Sequence, residues 1–217
     1  MVERLKVGPI GENAYVILGS RDCILVDPGD EAQRILAFLD SRDLVPSHIV
    51  LTHGHLDHTA AIPELLAVWA ERGFGPLLAA HSLDADYFGE SGEEKNRDLF
   101  AAIRAIGYFR SYWKAMKGID LLLEDGATLP VGGFRVIHTP GHTRGSICLY
   151  GQAERILISG DTLFESGVGR TDGPDASQAE LEKSLARLAL LPPETVVLPG
   201  HGEATTIGRE LGADGSD

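Results

Sequence analysis

The chain has 217 residues, 43% of them apolar and 24% charged, with a formal net charge of −13. That length fits one well-buried domain, residues 1–217, and the composition is that of an ordinary soluble globular chain. The acidic balance would repel a phosphate backbone, so no nucleic-acid partner is expected; a small anionic substrate stays open, because a metal ion can invert the local field.

At the N-terminus, "MVERLKVGPIGENAYVIL" contains no apolar core of signal-peptide length, and no run of membrane-spanning length follows. A cytoplasmic protein with no membrane partner is expected. Short apolar runs predict strands at 14–18, 23–26, 48–51 and 77–80, then at 134–138, 146–150, 155–158 and 195–198. Cys23 and Cys148 fall inside such runs and read as buried thiols of a reducing compartment. A helix is predicted over 31–43, with Ile35, Leu36 and Leu39 on one face and Asp30 and Gln33 spaced as a capping box. A second runs over 59–71, with Pro63 in its first turn. A third, over 176–190, carries Leu181, Leu185 and Leu188 on one face, with Asp175 and Gln178 in the same capping arrangement.

Residues 84–120 have a different character, helical from about 93 and holding seven of the chain's fourteen aromatic residues. Two readings fit: a lid that shapes a pocket, or a helical hairpin that buries ordinary aromatic side chains. Tyr108, Tyr112 and Trp113 are the candidate pocket walls.

A loose internal repeat is visible. "CILVDPGD", helix, Pro46, "HIVLTHGH" is one unit, and "RILISGD", helix, Pro192–Pro193, "VVLPGHG" is the other. Each reads strand, aspartate-bearing turn, helix, proline, strand, histidine. Two such halves could pack sheet on sheet with helices outside and with the polar strand ends along one rim.

The chemistry concentrates in "THGHLDH", which sets His53, His55, Asp57 and His58 within six positions straight after an apolar run. On an extended segment, positions i and i+2 face the same way, so His53 and His55 can meet one metal. Asp57 and His58 lie where the chain turns toward a helix and can reach a second point. Imidazole with carboxylate suits zinc, iron or manganese, and the absence of nearby cysteine argues against a closed structural zinc site. His142 in "HTPGHTRGS", Asp161 in "LISGDTLF" and His201 in "VVLPGHGEATT" add three metal-capable residues at strand exits beside glycine. Asp27 ends its strand as Asp161 ends the other. It reads equally as an orienter of a ligand histidine or as a simple turn residue. Arg170 and Asp172 read as a pair bracing the loop after Asp161, with substrate contact by Arg170 the lesser alternative. His48, His81 and His138 at strand edges read as packing residues.

Taken together, these residues resemble the metallo-β-lactamase fold superfamily, over roughly residues 5–207. Within it the chain is similar to the glyoxalase II-like, hydroxyacylglutathione hydrolase-like short-form branch, through "ENAYVI", "LVDPGD", "THGHLDHTAAIPEL", "TPGHTRGSICLY", "GDTLFESGVGRTD" and "LPGHGEATTIGRE". The resemblance implies a four-layer αββα sandwich. It implies two divalent metal ions, zinc favoured and iron or manganese compatible. One would be held by His53, His55 and His142, the other by Asp57, His58 and His201, with Asp161 bridging and Asp57 also orienting water. A hydroxide between the metals would cleave small acyl thioesters, without a protein nucleophile. The helical domain of full-length glyoxalase II is not expected, since the chain ends sixteen residues after His201. Alternatives are a mononuclear iron persulfide dioxygenase, a lactonase or β-lactamase, a nuclease, which the charge disfavours, and a metal-binding regulator without activity.

Overall fold

The computed structural model describes residues 1–20 and 22–212. A first sheet contains β1 (Val2–Val7), β2 (Glu12–Leu18), β3 (Cys23–Val26), β4 (Pro46–Val50), β5 (Leu77–His81) and β6 (Leu121–Leu123), in that spatial order. The pairings β1–β2 and β2–β3 are antiparallel, and those from β3 to β6 are parallel. The second sheet is assembled from β7 (Arg135–His138), β8 (Ile147–Gly151), β9 (Ile156–Gly160), β12 (Val196–Pro199) and β13 (Thr205–Thr206), in the order β13-β12-β9-β8-β7. A short hairpin, β10 (Leu163–Phe164) and β11 (Gly167–Val168), follows β9.

Alternation along the strands decides the layering, because successive side chains face opposite sides of a sheet. Tyr15, Ile17, Ile24, Val26 and Val50 pack against Val136, Ile147, Leu149 and Ile158 between the two sheets. Their neighbours Val16, Leu25, Ile49 and Leu78 point outward into a layer of helices α1 (Ala32–Asp40), α2 (Ile62–Glu71), α3 (Gly92–Ala102) and α4 (Ile106–Tyr112). Cys148, Leu157 and Val197 point the other way, under α5 (Gln178–Leu188) and α6 (Ile207–Leu211). The result is the αββα sandwich that the two-unit pattern and the resemblance implied. Both faces of the central strands are covered, which is why those strands read as continuous apolar runs.

The internal repeat is structural. The units β3–α1–β4 and β9–α5–β12 each join parallel neighbours, and each is flanked by an antiparallel strand, β2 or β8. Strand β1 carries no continuous apolar run, only Leu5 and Val7 buried between exposed Arg4 and Lys6, as befits an edge.

Helix starts differ from their expected form. At α1 the Asp30/Gln33 box is not made: Glu31 occupies the cap position at φ 52 without a side-chain cap, Asp30 Oδ1 accepts from the Glu31 amide at 2.6 Å, and Gln33 reaches Glu64 at 3.0 Å. At α5 Ser177, not Asp175, is the cap, accepting from the Glu180 amide at 3.4 Å. Asp175 is taken up by Tyr87 and Lys95. The expected 59–71 helix begins only at Ile62, because Leu56–His58 form a separate 3₁₀ turn that aims Asp57 and His58. Both cysteines are buried free thiols, and no helix among the described residues is long and apolar enough to cross a membrane.

Ser177→Ala should lower stability by about 0.5–1 kcal/mol, read as a fall in urea midpoint at unchanged slope, by loss of the α5 cap.

Candidate metal centre

Strands β3, β4, β9 and β12 end along one rim, and the chemistry-bearing residues follow those ends. Asp27 follows β3 with φ 48, a left-handed conformation that aspartate tolerates better than most residues. His53 and His55 leave β4, Asp161 leaves β9, and His201 leaves β12, while His142 sits on the loop between β7 and β8. Between His53 and His55, Gly54 leaves room for the Tyr87 ring: a Cβ there would lie 2.4 Å from it. Gly29 is just as constrained, since its Cβ would fall 1.8 Å from the Asp57 carbonyl oxygen.

The side chains form two groups. One donor atom from each of His53, His55 and His142 lies within 4.8 Å of the others, and the same holds for Asp57, His58 and His201. Asp161 stands between them. Its Oδ1 is 3.3 Å from His58 Nε2, and its Oδ2 is 3.7 Å from His142 Nε2 and 3.8 Å from His201 Nε2. One donor atom from each of Asp27, His53 and His58 also lies within 4.8 Å of the others. The Asp27 carboxylate, however, already accepts from the Thr52 amide at 2.7 Å, the Thr52 hydroxyl at 2.5 Å and His58 Nδ1 at 3.0 Å.

These bonds fix the tautomers. The Thr52 hydroxyl donates to Asp27, so it accepts from His53 Nδ1 at 3.1 Å. His142 Nδ1 donates to the Arg170 carbonyl at 2.9 Å. The Nδ1 of His53 and that of His142 are thereby protonated and their Nε2 lone pairs turn to the rim, as metal-binding imidazoles require. The His58 imidazole is instead raised well above its usual range by the Asp161 and Asp57 carboxylates, against the pull of burial, and would give up its outer proton to a bound cation. His142 Nε2 lies 2.9 Å from His55 Nδ1, and His201 Nε2 lies 3.2 Å from Asp57 Oδ2.

Three buried atoms at the centre, His53 Nε2, His58 Nε2 and Asp161 Oδ1, have no hydrogen-bond partner. Buried polar atoms are seldom left so, and convergent imidazole and carboxylate atoms answer to a divalent cation; the residues fit two. Burial, and then the neighbouring imidazoles, push His53 well down and His55 down to about 3, so both are neutral and able to ligate. Burial opposes ionisation of Asp57 and Asp161, but His58 holds both carboxyls below their usual range.

A supporting layer was not legible as such in the sequence. Asp84, buried after β5, accepts from the amides of Gly54 at 2.9 Å and Gly145 at 2.7 Å and from the Thr143 hydroxyl at 2.8 Å, tying the two histidine loops together. Nothing in "HSLDADY" marks it. On β2, Asn13 Nδ2 donates to the carbonyls of Pro199 at 2.9 Å and Gly202 at 3.0 Å, and Tyr15 donates to Pro199 at 2.7 Å. The stretch "ENAY" therefore clamps the His201 loop. Its Glu12 is buried with no hydrogen bond to either carboxyl oxygen, His58 Nδ1 lies 3.7 Å from Oε1, and burial drives the carboxyl well above the usual range against the pull of His58.

A cavity of about 240 Å³ opens over His55, Asp57, His142 and Asp161. Leu99, Phe100, Ile103 and Tyr108 wall it, and Ile10 and Arg170 complete the mouth. Tyr112 and Trp113 do not line it, contrary to expectation: Tyr112 stacks on Tyr108 at 4.4 Å, and Trp113 on Phe109 at 5.6 Å. The aromatic segment is a pair of helices that bury Leu99, Phe100 and Phe109 and leave Tyr108, Tyr112 and Trp113 half-buried, and one face of the pair is the cavity wall. Arg170 is clamped by Asp172, Nε to Oδ1 at 2.6 Å and Nη2 to Oδ2 at 2.7 Å. His81 and His138 stack on each other at 4.0 Å, away from this centre, and half-buried His48 faces the Ser47 hydroxyl.

A family model described as the metallo-beta-lactamase superfamily matches residues 7–201. The chain is 34% identical over 207 residues to a probable metallo-hydrolase, YqgX, of Bacillus subtilis (strain 168), covering 94% of this chain and 91% of that protein. It is 31% identical over 213 residues to the hydroxyacylglutathione hydrolase GloC of Haemophilus influenzae, covering 96% and 94%. Among solved structures, BLEG-1 B3 metallo-beta-lactamase superposes with a TM-score of 0.82 at 32% identity, covering 99% of this chain and 98% of that one. TTHA1623 in a di-iron-bound form gives 0.78 at 35% identity, covering 95% and 96%.

Asn13→Ala should leave the Pro199 carbonyl to Tyr15 alone and the Gly202 carbonyl with only a 3.4 Å contact from Arg4, lower stability by about 1 kcal/mol, and loosen the His201 loop. Urea unfolding reads the first effect, and histidine NMR line widths the second.

Proposed function

This chain belongs to the metallo-β-lactamase superfamily, and from that premise we propose that it is a metal-dependent hydrolase of the glyoxalase II type, cleaving thioesters of small acyl groups. The observation that carries the reading is the pairing of two three-residue donor groups around Asp161 at the floor of one cavity. The likeness to a hydroxyacylglutathione hydrolase over nearly the whole chain supports it.

His53, His55 and His142 would hold one divalent ion and Asp57, His58 and His201 the other, with Asp161 reaching both. Such ions, when bound, lower the pKa of water to about 7 and stabilise a developing oxyanion. The chain's own residues do the rest. Asp27 fixes the His58 ring, Thr52 the His53 ring and the Arg170 carbonyl the His142 ring. Asp57, ionised and at the cavity floor, aligns the attacking water toward the substrate carbonyl. Leu99, Phe100, Ile103 and Tyr108 give one side of the open cavity an apolar wall.

Neither cysteine is placed to act as a nucleophile: burial pushes the thiols of Cys23 and Cys148 up to about 11, and both lie within strands. The cavity lining has no lysine. A thiolate leaves without protonation and an amide nitrogen does not, so a thioester asks less of this lining than a β-lactam does. A mononuclear iron dioxygenase would leave Asp57, His58 and His201 without a shared task, which favours the hydrolase over that alternative.

Metal-replete protein should hydrolyse S-D-lactoylglutathione or simpler acyl thioesters, with Asp161→Ala down more than about a hundredfold and Asp27→Ala down about 10–100-fold. Metal bound with no thioester cleaved would overturn the reading, and oxygen uptake with glutathione persulfide or turnover of a lactone would replace it.

A further inference from the structure

The cavity above the metal centre is built from two chemistries. Its floor is ionic, and its wall is almost wholly apolar: Leu99 and Phe100 from α3, Ile103 and Ala105 from the joint, Tyr108 from α4. The wall is stiff. Phe100 stacks on Tyr108 at 5.6 Å and Tyr108 on Tyr112 at 4.4 Å, both nearly parallel, so three rings stand in one column. Ile10, also in the lining, is left 53% exposed and adds an apolar lip.

Cations are scarce here. Arg170 is the one cationic side chain in the lining, and Asp172 occupies its guanidinium in a two-point contact. Beyond the lining, two cations are paired, whereas Arg104, between Ile103 and Ala105, is exposed and lies outside the lining. Lys95 contacts Asp86 and Asp175, and Arg144 lies 3.5 Å from Asp86 and 3.6 Å from Asp175. A substrate that depends on carboxylates for its grip, as a glutathione thioester does, meets no unpaired cation in the lining. It also meets a chain of net charge −13.

Resting on the thioesterase reading, we propose that the substrates are thioesters gripped by an uncharged apolar arm, aliphatic or aromatic, laid along the Leu99–Phe100–Ile103–Tyr108 wall. Specificity then scales with the apolar surface covered. Burying each further methylene strengthens binding about fourfold until the cavity is full. The rigid ring column is pre-organised, so little ordering cost offsets that gain.

The test is a chain-length series read in two ways on the full, metal-replete protein. Acetyl to hexanoyl and benzoyl thioesters of N-acetylcysteamine vary the acyl arm, and acetyl thioesters of alkyl thiols of growing length vary the other arm. Calorimetric binding of the matching non-cleavable thioether ketones measures grip without turnover. In one of the two series kcat/KM and affinity should rise about fourfold per methylene, and moving the best acyl group onto glutathione should bring no gain. Ile103→Asn, at a half-buried position, should flatten the slope. Flat slopes in both series and in binding, or a tenfold preference for the glutathione thioester, would overturn the proposal. If no thioester is cleaved, the thioesterase reading falls separately, and the calorimetric slope alone decides for or against the apolar grip.

Discussion

A buried carboxylate at the end of β3 organises the rim. Asp27 sits in a left-handed conformation and accepts from the Thr52 amide, the Thr52 hydroxyl and His58 Nδ1. Through Thr52 it also sets the His53 tautomer. One carboxylate thus turns two imidazoles, one from each donor group, and leaves the outer nitrogen of each without a hydrogen-bond partner at the centre, that of His58 lying 3.3 Å from Asp161 Oδ1. Rotating either ring would leave a protonated nitrogen facing where a cation belongs.

The sheet architecture makes this convergence possible. Two parallel β–α–β units set their aspartates, Asp27 and Asp161, at equivalent strand ends, and the sheets meet face to face through Ile24, Val26, Ile147 and Ile158. Sheets pack about 10 Å apart, which is within reach of side chains leaving both rims. "THGHLDH" then serves both groups at once. Its extended half points His53 and His55 together, and its 3₁₀ turn throws Asp57 and His58 toward the second group.

Much of this was legible in the sequence, for identifiable reasons. The central strands are buried on both faces and so appear as unbroken apolar runs, and five of the seven metal-capable residues stand beside glycines at strand exits, with Asp57 and His58 close behind. What escaped depended on long-range contact. Asp84 is an ordinary aspartate until the fold brings Gly54, Thr143 and Gly145 around it. Edge strand β1 has too few apolar residues to declare itself. The cap of α5 moved from Asp175 to Ser177 because Tyr87 and Lys95 claim the aspartate. Tyr112 and Trp113 looked like wall residues, yet they lie behind the wall, since only one face of a short helix can line a cavity.

The division of seven side chains into two metal positions is the claim on which the chemistry stands. Anomalous-difference maps from crystals of the zinc- or iron-loaded protein test it directly. Two peaks are expected, one against His53, His55 and His142 and one against Asp57, His58 and His201, with Asp161 oxygens facing both. A single peak at full occupancy under metal excess, with Asp57, His58 and His201 left uncoordinated, would contradict it.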